Sequence, residues 1–141
     1  ELLLLYVTCS AMTKKQISLV LIRIIYEMRI MQIEGEGLEL FCCLACGTEK
    51  GKKKVYFSRG GFLCNNCAEK TGILQRDKGY YLSPDAIYAL QFISTTPLER
   101  LFTFRVSDHV ERELSEFMKQ YYGYYLHHTF QSLTFLQDPV Y

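Results

Sequence analysis

Apolar residues in the first quarter of the chain recur at the three- and four-residue steps of a helix, which predicts a helix over residues 14–33. Its inner face is expected to be Ile17, Leu21, Ile24, Met28 and Met31. Other apolar residues widen this surface: Leu19, Val20, Ile22, Ile25 and Ile30. A helix of this kind is buried on most sides, at the centre of a bundle. Gly35 and Gly37 are expected to end it.

Two further helices are predicted in the second half of the chain. Ser83-Pro84 suits the N-cap and first turn of one, whose expected inner face is Ile87, Leu90 and Ile93. Asp108 with Glu111 resembles a capping pair that opens the last long helix. Its expected stripe is Val110, Leu114, Phe117, Tyr121 and Tyr125. The pattern therefore predicts a mainly α fold, a helical bundle.

The middle of the chain breaks this periodicity. Val55-Tyr56-Phe57 and Gly61-Phe62-Leu63 read as two short strands of a hairpin, and residues 65–70 as a short helix. We interpret residues 1–141 as one domain, with residues 42–70 inserted as a finger. The bundle core is expected to lie outside this insertion.

The hairpin is flanked by two C-x-x-C pairs, Cys43 with Cys46 and Cys64 with Cys67, separated by seventeen residues. This spacing predicts one structural Zn²⁺ per chain, held by four thiolates with no open position for catalysis. Gly47 supplies a tight turn after the first pair. Two disulfides would use the same cysteines, but nothing else marks a disulfide scaffold. A redox pair would need a βαβ setting, which the pattern lacks.

Two other cysteines fall outside the C-x-x-C spacing. Cys42 is a possible competitor for Cys43, and Cys9 is expected to be a buried helix residue.

Positive charge is concentrated on the finger, although the whole chain carries only +1. Residues 50–78 contain eight basic and two acidic residues, a formal +6, which leaves −5 on the rest. The basic set is Lys50, Lys52, Lys53, Lys54, Arg59, Lys70, Arg76 and Lys78. This segregation favours contacts with DNA phosphates. The alternative for the lysine run is a solvated loop without a partner.

Other candidate chemistry is weaker. The tyrosines at 121, 122, 124 and 125 can stack on nucleobases, but their helical spacing favours core packing. His127 and His128 are adjacent and point to different sides of a helix, so a paired site is not expected. The sequence contains no nucleophile elbow, phosphate loop or His-Glu-x-x-His motif, so an enzyme is not expected. No stretch reaches the ~18 uninterrupted apolar residues of a membrane span.

The order of these parts resembles the RecO family of bacterial recombination mediators. The matching segments run from the first helix to the end of the last: Tyr26-Glu27-Met28-Arg29-Ile30, Gly37-Leu38-Glu39-Leu40, Cys43-x-x-Cys46-Gly47, Phe57-Ser58, Gly60-Gly61-Phe62-Leu63-Cys64, Cys67, Leu82-Ser83-Pro84 and Ser132-Leu133-Thr134-Phe135-Leu136.

The resemblance implies the C-terminal part of such a protein, a helical domain with an inserted zinc finger, and an N-terminal OB-fold that is absent from this chain. It implies a non-catalytic, cytoplasmic and nucleoid-associated role in DNA repair and recombination. The implied partners are single- and double-stranded DNA, RecR, the acidic tail of single-strand-binding protein and, indirectly, RecA. The alternative is a zinc-ribbon module that tethers protein partners outside repair.

The implied tail ends in a phenylalanine with a free carboxylate, so its receptor needs an apolar hole with a cation at the rim. Candidate cations are Arg100, Arg105 and Arg112, which lie among the apolar residues Leu98, Leu101, Phe102, Phe104 and Val106. The alternative is that these apolar residues join the core and the arginines are solvated.

Overall fold

The computed structural model describes residues 18–103 and 105–137. For residues 98, 102, 103 and 128–137 it describes the backbone only. In this part of the chain, helix α1 (Leu19–Ile33) precedes a hairpin of β1 (Lys53–Tyr56) and β2 (Gly61–Cys64). Helices α2 (Asn65–Thr71), α3 (Pro84–Thr95) and α4 (Asp108–Gln137) follow. Two 3₁₀ segments, Ile73–Gln75 and Leu98–Thr103, lie after α2 and α3. The predicted mainly helical fold with a short hairpin is confirmed.

Ser18 is the N-cap of helix α1, and its hydroxyl accepts a hydrogen bond from Leu21 N at 3.4 Å. It ends in a tight turn: Gly35, at φ 81°, donates to Gln32 O, and Glu36 N donates to Met31 O. The predicted residues 14–17 of this helix, like Cys9, lie outside the described residues. The expectation of burial on most sides was wrong at the start of the helix, because Leu19 is 70% exposed and Val20 38%.

The bundle consists of α1 packed against α3 and α4. The predicted inner faces are confirmed where they are described, except that Ile87 and Tyr125 are only partly buried, and Ala86, Ala89 and Met118 complete them. The buried bundle residues of the three helices are Leu21, Ile22, Ile24, Ile25, Met28, Met31, Ala86, Ala89, Leu90, Ile93, Val110, Leu114, Phe117, Met118 and Tyr121.

The N-cap of α3 is the residue that the sequence predicted, whereas the N-cap of α4 is a different residue. Ser83 caps α3 as predicted, with Pro84 in the first turn, and its hydroxyl accepts from Ala86 N at 3.2 Å. The predicted capping role of Asp108 was wrong. Ser107 holds that position, since its hydroxyl accepts from Val110 N at 3.3 Å and its carbonyl from Glu111 N. Asp108 is already helical, and its carboxylate in the first turn suits the positive end of the helix dipole.

The hairpin is packed on both faces. Val55 lies opposite Phe62, and both side chains belong to the bundle core. Tyr56 and Leu63 point to the other face, into a second apolar cluster with Cys43, Cys64, Ala68 and Ile73. The expectation that the bundle core lies outside residues 42–70 was therefore wrong, because side chains alternate across a strand and one face of this hairpin reaches the helices.

Flanking backbone extends the hairpin into a small sheet. Glu39 N donates to Gly60 O and Phe62 N to Glu39 O, while Val55 and Tyr80 exchange both backbone hydrogen bonds. A Cβ at Gly61 would lie 2.5 Å from Glu39 O, so the approach of Glu39 requires glycine there. None of the described helices is long and apolar enough to cross a membrane.

Candidate metal centre and basic surface

Four cysteine sulfurs converge beside the hairpin. The Sγ atoms of Cys43, Cys46, Cys64 and Cys67 all lie within 4.8 Å of one another. Cys46 Sγ and Cys64 Sγ are 3.8 Å apart, and sulfurs bound tetrahedrally at about 2.3 Å from one ion are also about 3.8 Å apart. All five described cysteines are free thiols. The group therefore fits a four-coordinate metal ion, and the two-disulfide alternative does not hold in this structure.

The first C-x-x-C pair lies in a turn stabilised by backbone hydrogen bonds. Gly47 N donates to Cys43 O at 2.9 Å, and Gly47 adopts φ 77°, as its position in the sequence predicted. Cys43 N donates to Thr48 O, and Leu44 N donates across to Phe62 O on β2. These contacts attach the turn directly to the hairpin.

The second pair joins a strand to a helix. Cys64 ends β2 and is the N-cap residue of α2, and Cys67 follows in the first turn of that helix. Asn65 N donates to Lys52 O at 3.2 Å, which closes the base of the hairpin. The regular strand and helix thus bring two sulfurs three residues apart to the same point.

The four thiols have unequal proton affinities. Burial raises the pKa of the Cys43 thiol, but hydrogen bonds from the backbone amides of Cys46, Cys64 and Ala45 outweigh burial and lower this pKa to about 6. A hydrogen bond to the Cys64 sulfur, with burial, raises the pKa of Cys67 to about 12. A bound cation would remove the remaining thiol protons, because metal ligation requires thiolates.

Cys42 is not part of this sulfur cluster. Burial, followed by the carboxylates of Glu39 and Glu49, raises the pKa of its thiol. Sequence reasoning missed Glu39, whose Oε1 accepts from Phe41 N at 2.8 Å and Cys42 N at 3.3 Å and so orients the turn that leads into Cys43. Both partner amides lie only two and three residues after Glu39, so an acidic residue just ahead of the first C-x-x-C pair was a usable local signal.

Three of the eight predicted basic residues surround the metal centre. Lys50, Lys52 and Lys70 line a pocket of about 540 Å³, here called the lysine basin. Asn65, Asn66 and three of the four clustered cysteines, Cys46, Cys64 and Cys67, also line it. All three lysines are exposed. The asparagines were not predicted as site residues, although their position between the second pair of cysteines was a usable signal.

The other basic residues of the segment 50–78 lie elsewhere on the finger and just after it. Arg59 and Arg76 line a second cleft at the hairpin turn. Lys53 Nζ donates to Glu49 O and lies 5.8 Å from the centroid of the Phe62 ring. Lys54 is half-buried, and Lys78 is exposed. The lysine run at 52–54 is therefore divided between surface and structural positions.

Of the three arginines predicted to bind a partner, Arg105 alone borders the pocket at the starts of α3 and α4. This pocket has a volume of about 490 Å³, with Val106 and Tyr88 among its walls. Arg100 and Arg112 are exposed and do not line it. Leu101 is fully buried in the core, while Phe104 and the side chains of Leu98 and Phe102 lie outside the described set.

The tyrosines of α4 differ in how deeply they are buried. Tyr121 is buried in the core and donates its hydroxyl hydrogen bond to Glu36 O. Tyr122, Tyr124 and Tyr125 are half-buried. His127 is exposed, and the side chain of His128 is not described.

The fold and site define a mainly helical domain that carries a four-cysteine metal centre on a packed hairpin. The family described as "Recombination protein O C terminal" matches residues 3–134. The chain belongs to this RecO family.

Several relatives are each named "DNA repair protein RecO". The protein of Acetivibrio thermocellus is 30% identical over 116 residues, which cover 80% of this chain and 43% of the relative. That of Desulforamulus reducens is 28% identical over 114 residues, 79% of this chain and 42% of the relative. The chain thus spans about two-fifths of the length of these relatives. No solved structure matches the chain.

Proposed function

We propose that this chain is a non-catalytic DNA-binding part of a recombination mediator, and that its finger contacts DNA phosphates. The observation that carries this proposal is the grouping of Lys50, Lys52 and Lys70 around one basin. Phosphates of either single or double strands satisfy three such cations. In this proposal the protein acts in the cytoplasm on the nucleoid, with RecR, to anneal strands and to help RecA load.

The proposed ion is Zn²⁺ in a structural role. Four thiolates form a closed tetrahedral set for zinc, which leaves no position for substrate. The ion would hold the turn at Cys43 and Cys46 against the start of α2, and so fix the three lysines relative to one another.

The DNA surface is tested by salt titration of binding to a single-stranded and a double-stranded oligonucleotide. We expect Lys50, Lys52 and Lys70, replaced together by alanine, to weaken binding to both. The slope of log K against log salt should flatten by about 0.9 for each lost duplex phosphate contact and about 0.7 for each single-strand contact. Lys119→Ala is the control, because Lys119 is exposed on α4 outside the finger. An unchanged slope in the triple variant would exclude the basin as the DNA surface.

The pocket beside Arg105 supports a second role, binding of the acidic tail of single-strand-binding protein. Its walls include the side chains of Tyr88, Phe92, Val106 and Val110, and Arg105 lies at the same site. An aromatic ring fits apolar walls of this kind, while a guanidinium pairs with a terminal carboxylate. Asp85 also lines the pocket and disfavours the acidic residues of the tail at that edge.

A peptide titration tests this role. We expect the tail peptide to bind more tightly than a version without its terminal phenylalanine, and Arg105→Ala to weaken binding. Arg112→Ala, an exposed arginine outside the pocket, is the matched control and should not weaken it. Equal binding of the two peptides would rule out this pocket.

A further inference from the structure

Two clefts meet at the turn of the hairpin. One, of about 470 Å³, lies between the end of α1, the hairpin turn and α4. The other, of about 880 Å³, lies between the same turn and the 3₁₀ segment after α2. Both are lined by Phe57, Ser58, Arg59 and Tyr124, so they form one continuous surface, here called the tip cleft. Each half has the volume of an ordinary small-ligand pocket, about 300–1,000 Å³.

Aromatic rings form the inner part of the tip cleft. Phe57 stacks on Tyr121, with centroids 5.7 Å apart and planes 5° from parallel. Tyr124 lies 5.8 Å from Phe57, is only half-buried and borders both halves. Flat aromatic walls of this kind accept the face of another planar ring.

The rim of the tip cleft is charged. Arg59 and Arg76 are exposed and belong to the excess of positive charge in residues 50–78. The turn that carries Arg59 is held by hydrogen bonds from Arg59 N and Gly60 N to Tyr56 O, each 3.0 Å. Arg59 is therefore attached to fixed backbone rather than to a loose loop.

Two carboxylates share the rim. Asp77 is engaged by the turn itself, since Ser58 Oγ donates to its Oδ2 at 3.3 Å and Gly79 N to its Oδ1 at 2.9 Å. Glu36 lines the first half and is exposed. A carboxylate at this rim can accept hydrogen bonds from the amino group of a base.

We propose that the tip cleft binds an unpaired nucleotide of single-stranded DNA, with its base against Tyr124 and its phosphates near Arg59 and Arg76. This inference rests on the proposed function and adds a second, strand-selective site to the lysine basin. A duplex conceals its base faces and presents phosphates and groove edges, whereas stacking on an aromatic side chain needs an exposed base. The aromatic rings suit the face of an unpaired base, the arginines suit its phosphates, and a carboxylate suits its amino group.

The test compares Tyr124→Leu, Tyr124→Phe and the unsubstituted protein on three DNAs: a single strand, the same strand with abasic sites and its duplex. We expect Tyr124→Leu to weaken single-strand binding about 5- to 150-fold, the range for loss of one stacked base. Duplex and abasic-strand binding should change less than about 2-fold by the same argument. Tyr124→Phe keeps the ring and should bind like the unsubstituted protein. Thermal melting checks that each variant is folded.

A second readout is the fluorescence of 2-aminopurine placed in the single strand, which should be quenched by the unsubstituted protein and not by Tyr124→Leu. Tyr122→Leu is a matched control, since Tyr122 does not line the tip cleft. Equal losses on single strand and duplex, or none on either, would overturn the inference. Unchanged single-strand binding with lost binding of a protein partner would also overturn it, and would assign the cleft to that partner.

Failure of the lysine basin is a distinguishable result. If the triple lysine variant binds both DNAs normally while Tyr124→Leu loses the single strand, the tip cleft stands and the basin does not. If the unsubstituted protein binds neither DNA, both proposals fail.

Discussion

The ring of Phe57, in the hairpin turn, stacks on the ring of Tyr121 in α4, with centroids 5.7 Å apart. Phe117 lies 5.7 Å from the same Phe57 ring, and Val55 and Phe62 reach the bundle core from the strands of the hairpin. The finger is therefore packed into the helical domain rather than tethered to it. Changes at the metal centre should be transmitted to the bundle through this contact.

Cys64→Ser tests that coupling. We expect loss of the metal ion, because three thiolates remain, and a lower melting temperature for the helices as well as for the finger. Structural zinc stabilises small fingers by about 10–16 kcal/mol, and the loosened hairpin would expose Val55 and Phe62. Elemental analysis and thermal circular dichroism at the helical signal measure the two effects. Cys42→Ser should retain both metal and melting temperature; helices that melt unchanged in Cys64→Ser would show that the two parts are independent.

Two glycines should respond to alanine in opposite directions. At Gly61 the new Cβ would lie 2.5–2.8 Å from Glu39 atoms, so the strand contact must open and the melting temperature should fall. At Gly123, within α4, a Cβ meets nothing within 4 Å. Gly123→Ala should stabilise the protein by about 0.5–1 kcal/mol, the helix propensity difference. Denaturant unfolding of both variants measures the two changes in the free energy of unfolding. Changes of the same sign would contradict this account.

Glu113 connects α4 to the start of α3. Its Oε2 accepts from Ser83 N at 2.8 Å and its Oε1 from Ser83 Oγ at 2.6 Å. Glu113→Ala removes two hydrogen bonds to a charged group at partly buried positions, so we expect a loss of about 1.5–3 kcal/mol in the free energy of unfolding. Glu116→Ala, at an exposed position on the same helix, should change it by less than about 0.5 kcal/mol. Equal effects would mean that the Ser83 contact contributes little.

Tyr121 should contribute to alkaline sensitivity. Burial, followed by the charge of Glu36, raises the pKa of its phenol well above the usual value. Its unfolded form releases the proton near pH 10 while the folded form keeps it, so the stability it provides is present below about pH 10 and is lost as pH rises further. Tyr121→Phe should be less stable at pH 7, because the hydrogen bond to Glu36 O is lost. The difference in the free energy of unfolding between this variant and the unsubstituted protein should narrow between pH 10 and 12. A difference in the free energy of unfolding that stays constant with pH would contradict the raised pKa of Tyr121.

The sequence alone determined the features that depend on near neighbours. The C-x-x-C spacing identified the four sulfurs. The two cysteines of each pair are three positions apart, so the local backbone of a turn or of a helix start is enough to bring their sulfurs together. The three- and four-residue steps identified the buried faces of α1, α3 and α4, and Ser83-Pro84 identified a helix start. Each of these follows from local backbone geometry.

Only the tertiary structure decided what each surface touches. Leu19 is exposed although its neighbours predict burial, and Lys53 is engaged with Glu49 and Phe62 although it belongs to a lysine run. Phe57 meets Tyr121 across 63 intervening residues, Ser83 meets Glu113, and Arg105 lines a pocket that Arg100 and Arg112 do not share. Contacts between distant segments depend on how the helices and the hairpin pack, and periodicity reports only which side of an element is buried, not which element covers it.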